Sequence, residues 1–160
     1  MNHDGAPARD ESEKPGLTPS GLVRLVEDPD AAEGKKWTLL GGLCPDCQKE
    51  YYPRPRFCPR CLKETVSADL GDRGTVYSYT VVRIKPPLGL PQPYGLGLVD
   101  LAGKNLRVFG LLDPAAVDSL FIGRPVRLAV APLGRDRQGT PCLRPYFTPD
   151  PGLEQGGPTS

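Results

Sequence analysis

After Gly71 the chain alternates apolar and polar positions with a period of two, the spacing of strands that turn one face to a core. Val76, Thr80, Val82 and Ile84 share one face of the run 75–84. Leu96 with Leu98, Leu106 with Val108, and Val126 with Leu128 and Val130 repeat the pattern downstream. With Gly, Pro and Asp at their boundaries, these runs predict five strands, over residues 75–84, 94–101, 105–112, 125–133 and 142–147. Asp113-Pro114-Ala115-Ala116-Val117 predicts a short helix between the third and fourth. Five strands with a helix at that point predict a small Greek-key barrel of the OB type, which avoids exposed edges by closing on itself. A plain β-sandwich is the alternative that alternation leaves open.

Upstream the pattern differs. Ser20 followed by Leu22, Val23, Leu25 and Val26 predicts a short helix that Asp28-Pro29 ends. Asp30 ahead of Ala31-Ala32-Glu33 predicts a second helical turn reaching Lys36. From 37 to 70 the chain reads as short extended pieces, Trp37-Thr38-Leu39-Leu40 and Tyr51-Tyr52-Pro53 among them, set around four cysteines. Residues 1–16 and 149–160 are small, charged and proline-containing, and are expected to be disordered. The expected organisation is therefore a tail over 1–16, a helical segment over 17–36, a cysteine-bearing unit over 37–70, a barrel over 71–148 and a tail over 149–160.

Nineteen glycines and 20 prolines in 160 residues pull toward disorder, yet Leu, Ile, Val and Phe make up about a quarter of the chain. That exceeds the roughly one-fifth below which burial cannot offset ordering entropy, so a mainly β, loop-rich fold is expected. The 20 basic and 19 acidic residues nearly cancel, leaving no global field to draw the chain onto nucleic acid or anionic lipid. No apolar run approaches the ~18 residues of a membrane span. The opening MNHDGAPARDESEKPG lacks the apolar stretch of a signal peptide, so a cytoplasmic location is expected. The one histidine is His3, in the polar N-terminal tail. Ser-His and Cys-His nucleophile pairs and His-ligated catalytic metals are thereby excluded, unless a partner chain supplies the imidazole. No catalytic residue is expected here.

Cys44-Pro-Asp-Cys47 and Cys58-Pro-Arg-Cys61 form an internal repeat with ten residues between the pairs. Each CxxC turn directs two thiolates and several backbone N–H groups at one point, and two turns facing each other make a tetrahedral four-sulfur site. Structural zinc is the default in a reducing compartment, iron in a rubredoxin-like site its competitor, and two disulfides the alternative without metal. A closed four-thiolate shell has no open position, so such a metal cannot activate water. Many such turns place glycine after the second cysteine, where this chain has Gln48 and Leu62. A positive φ at either would cost roughly 1 kcal/mol. Cys142 reads as a small buried hydrophobe on the last strand.

The run WTLLGGLCPDCQKEYYPRPRFCPRC, followed by GDRGTVYSYTVV, QPYGLGLVDL, IGRPVRL and RPYFTP, resembles the family of zinc-ribbon plus OB-fold proteins that accompany thiolase-superfamily enzymes acting on acyl-CoA. The resemblance spans 37–149. It implies a rubredoxin-like zinc ribbon followed by an OB-type barrel, and a non-catalytic subunit of a hetero-oligomer. The thiolase-like partner would carry the reactive cysteine and histidines, and a coenzyme A thioester would be the shared substrate. The chemistry implied is thiolytic, acyl-transfer or retro-aldol, with no choice among them.

Arg54 and Arg56 in Tyr52-Pro53-Arg54-Pro55-Arg56 are the candidate CoA-binding residues. Alternating prolines favour an extended backbone, and guanidinium forks match the phosphate oxygens of coenzyme A; a solvated loop is the plainer reading. Leu22 and Leu25 are the candidate partner interface. The competing function is a single-stranded nucleic-acid-binding module, since ribbons and OB barrels both serve that role. It would need a basic groove with aromatic platforms. Lys49, Arg54, Arg56 and Arg60 against Asp46 and Glu50 give a patch too weakly basic for such a groove, and Tyr77 and Tyr79 read as strand packing.

Overall fold

The computed structural model describes residues 21–85 and 89–152, and it builds them almost entirely from strands. β1 (Val23–Glu27) and β2 (Lys35–Leu43) form an antiparallel hairpin with Val23 opposite Leu39 and Glu27 opposite Lys35. The helix expected over 17–36 is therefore replaced by a strand and a turn in its described part; Ser20 and the residues before it lie outside the described residues. Leu-Val-x-Leu-Val satisfies a helical stripe, but the hairpin supplies β1 with a cross-strand ladder and sinks Val23 into the core. Two β-branched valines also favour the strand. The second helical turn is likewise a loop. Asp28 accepts the Asp30 N–H on its side chain, and Gly34, at φ 67°, lets the chain reverse into β2.

β2 is shared. Its second half pairs with β3 (Glu50–Tyr51) and β4 (Val66–Asp69), which frame the cysteine loops. Beyond it, β5 (Arg73–Val82), β6 (Tyr94–Leu101), β7 (Arg107–Leu112), β8 (Pro125–Arg135) and β9 (Pro141–Pro149) close a barrel in the order β5-β6-β7-β9-β8. A 3-10 helix, Pro114–Ser119, follows β7, with Asp113 capping it by accepting the Ala115 N–H. The expected barrel and its helix are thus present, and closure disposes of the sandwich alternative.

The strand faces need one correction. A bulge between Val76 and Ser78 shifts the register of β5 against β6, and an extra residue flips every later side chain to the other face. Val76 is fully buried, whereas Thr80 and Ile84 are exposed and Val81 packs on the core. On β6 the core face is Gly95, Gly97, Val99 and Leu101, while Leu96 and Leu98 are half-buried. Order also extends past 148: Asp150 is buried, and its carboxylate lies 3.2 Å from Arg73.

Val76, Val99, Val108, Leu112, Val126 and Phe147 fill the barrel, and Val23, Leu39 and Leu70 continue the same cluster beneath the ribbon. Leu39 and Leu70 exchange backbone hydrogen bonds with the chain entering the barrel, Leu39 N–H to Gly71 and Leu70 N–H to Leu39. This close approach requires Gly41, where a Cβ would stand 2.5 Å from the backbone oxygen of Tyr51. A backbone atom there cannot swing aside. Gly41→Ala should therefore lower stability by about 1 to 3 kcal/mol, read as a lower midpoint in chemical denaturation.

Candidate metal centre and the surrounding surface

The two cysteine loops adopt the same backbone. Cys44 N–H donates to Lys49 O and Gln48 N–H to Cys44 O; Cys58 N–H donates to Lys63 O and Leu62 N–H to Cys58 O. Gln48 and Leu62 have φ of 52° and 60°, so both take the left-handed conformation that glycine would fill more cheaply. An ion pair between Lys63 and Asp46 ties one loop to the other.

The ligand atoms of Cys44, Cys47, Cys58 and Cys61 all lie within 4.8 Å of one another, and Cys44 Sγ is 3.5 Å from Cys61 Sγ. A tetrahedron with metal–sulfur bonds of about 2.3 Å has sulfur–sulfur edges of about 3.8 Å, so the four residues fit one ion. They are the one such group among the described residues. Donors converge on the sulfurs: the Cys47 N–H lies 3.4 Å from Cys44 Sγ, and the Tyr51 hydroxyl 3.2 Å from Cys58 Sγ. The Tyr51 hydrogen bond is the main cause that brings the Cys58 thiol down to about 6, and the same contact pushes the phenol up to about 12. Cys47, hydrogen-bonded to Cys61 and partly buried, is pushed up to about 12. A thiol that high becomes a thiolate at neutral pH only when a bound cation displaces its proton to solvent.

Arg54 and Arg56 are placed differently. The segment bends at Tyr52 and Pro53, joined by a cis peptide, and is not uniformly extended. Arg54 folds back over Gly42 and donates to the Thr65 carbonyl at 2.5 Å and Ser67 Oγ at 2.7 Å. Arg56 stays outside, its guanidinium 5.1 Å from the Phe57 ring centroid and its Nε 3.8 Å from Glu64. Leu25 is 46% exposed on β1. Leu22 lines an apolar groove of about 510 Å³ with Leu39, Tyr52, Phe109, Leu128 and Phe147. The sequence gives no signal for this groove, because its walls come from Leu22 ahead of β1, from β2, the cysteine unit and three barrel strands.

Tyr77 lies under the Arg107 guanidinium, which Asp100 holds at 2.6 Å, and Tyr79 donates to the Leu120 carbonyl. Both tyrosines are exposed on β5, and each has a partner on the barrel. Cys142 is half-buried on β9, a little more open than expected. No helix among the described residues is long and apolar enough to cross a membrane.

Comparison with known proteins agrees with this geometry. Residues 38–67 match the ChsH2 rubredoxin-like zinc ribbon domain, and residues 68–131 match the ChsH2 C-terminal OB-fold domain. A DUF35 domain-containing scaffold protein of Methanocaldococcus jannaschii is 28% identical over 95 residues, covering 58% of this chain and 67% of the relative. A solved structure, an Ltp2-ChsH2(DUF35) aldolase, aligns with a TM-score of 0.56 and 29% identity, over 70% of this chain and 84% of that one.

Two outcomes follow from the site. Cys58→Ser should lose the metal by elemental analysis and open the cysteine loops to limited proteolysis, while the barrel fragment persists. Leu62 is 75% exposed, so Leu62→Gly forfeits little burial and removes the left-handed penalty. It should raise thermal stability by roughly 0.5 to 1 kcal/mol.

Proposed function

This chain belongs to the ChsH2 family of zinc-ribbon and OB-fold proteins, and from that premise we propose that it is a non-catalytic subunit of a thiolase-type complex acting on acyl-CoA. The observation that carries the proposal is the likeness to the Ltp2-ChsH2(DUF35) aldolase, which extends over most of both chains. The name scaffold, borne by the archaeal relative, points the same way. The chemistry of the chain is consistent with it. Four of its five cysteines are committed to one shell, and its one histidine is His3. Thiolytic, acyl-transfer or retro-aldol steps each need a nucleophile and a base, which the partner would supply. The ion is zinc, held by Cys44, Cys47, Cys58 and Cys61, and its role is to fold the ribbon.

The partner would be met at β1 and the groove, through Leu25 and Leu22. An edge strand with an exposed leucine beside an apolar groove is the kind of surface a monomer seldom leaves uncovered. Arg56 would reach the phosphates of coenzyme A. Arg54 would assist from its anchored position beside β4, since its contacts with Thr65 and Ser67 leave part of its five-donor fork available.

Co-expression with a thiolase-like subunit from the same genome tests the reading. The two chains should co-elute on size exclusion, and Leu25→Asp should separate them. Acyl-CoA turnover should appear in the complex and be missing from the isolated chain; turnover by the isolated chain refutes the proposal. Arg56→Ala should weaken binding of a non-hydrolysable acyl-CoA analogue by about 1 to 3 kcal/mol, as expected for a charge-assisted hydrogen bond, with metal content unchanged. Equal affinities would leave Arg56 a solvated loop residue.

A further inference from the structure

The two cysteine loops are near copies, and the copy fails at one place. Seven residues after the first cysteine of each pair stand Tyr51 and Thr65. The Tyr51 hydroxyl lies 3.2 Å from Cys58 Sγ, in the opposite loop. Thr65 turns away: its hydroxyl donates to the Pro55 carbonyl and lies 3.4 Å from Arg54 Nε. Cys44 and Cys58 are both fully buried. Among the described contacts, Cys44 Sγ meets a backbone N–H and a neighbouring sulfur, and Cys58 Sγ alone has a hydroxyl.

A metal-bound cysteine sulfur carries no proton, so in the loaded site the phenol must be the donor and the sulfur the acceptor. We infer that Tyr51 is a positioning residue of the metal centre, whose hydroxyl draws charge from the Cys58 sulfur and makes that one ligand less nucleophilic than its counterpart, Cys44. The phenol is held for this task. Tyr51 is part of β3, paired with Gly42 of β2, so its backbone is fixed by the same strand that joins ribbon to barrel. A donor outside the ligand set orients the ligand and offsets part of its charge, and losing such a partner commonly weakens metal affinity by one to two orders of magnitude. Less charge on a thiolate also means slower attack on electrophiles.

Tyr51→Phe removes the oxygen and keeps the ring, so packing around β3 is retained. In the full-length zinc-loaded protein, peptide-resolved initial rates of iodoacetamide alkylation should rise several-fold at Cys58 and stay unchanged at Cys44. Competition with a chromophoric chelator should show zinc affinity falling roughly tenfold. The cobalt-substituted variant should show its sulfur-to-metal charge-transfer band moved to longer wavelength, because a thiolate without its donor gives up charge more easily. Selective acceleration at Cys58 is the deciding result. If the two cysteines accelerate together, or neither does, the inference is overturned, whatever happens to overall affinity.

Discussion

Four thiolates within 4.8 Å of one another cannot all be charged unless something offsets their repulsion, and the fold of residues 44–61 depends on that offset. The stretch has two strand residues, β3, and no apolar core of its own; its buried apolar residues are the cysteines Cys44 and Cys58 themselves. Backbone N–H groups at the loop turns and the Tyr51 hydroxyl supply part of the compensation. The rest must come from a cation. Ligand binding and folding are then one process in this unit, whereas the barrel is held by its valines, leucines and Phe147.

β2 makes the two units one body. Its first half carries β1, its second half carries β3 and β4, and Leu39 and Leu70 place the ribbon on the same core that fills the barrel. The ribbon is therefore not a tethered ornament. The apolar groove arises at this junction, with Tyr52 from the cysteine unit facing Phe109, Leu128 and Phe147 from the barrel. A groove made from both units responds to anything that shifts one against the other, including metal loss.

Legibility in the sequence followed the range of the interactions. The cysteine ligands could be read directly, because spacing alone fixes which sulfurs meet, and the glycine-like turns at Gln48 and Leu62 were legible for the same reason. The five barrel strands could be read from period-two alternation bounded by Gly and Pro. The bulge after Val76 could not, since it depends on how β6 and the segment carrying Gly123 and Arg124 close against β5. β1 was misread as a helix because Leu-Val-x-Leu-Val fits both periods, and what decides between them is β2, a partner eight residues further on. Arg54 was legible as a charge and not as a brace, for its acceptors are Thr65, just before β4, and Ser67 on it.

The division of labour inside the chain bears on what it can contribute to chemistry. A saturated sulfur shell offers no Lewis-acid position, and Tyr51, Cys47 and Cys58, whose titrations are strongly displaced, face one another around that shell. What the chain presents outward is shape: an exposed edge strand with Leu25, an apolar groove at the junction, and Arg56 beside the exposed Phe57. Such features suit binding and positioning, the role proposed for the chain. The ribbon's outline, and with it one wall of the groove, depends on the four sulfurs being held together.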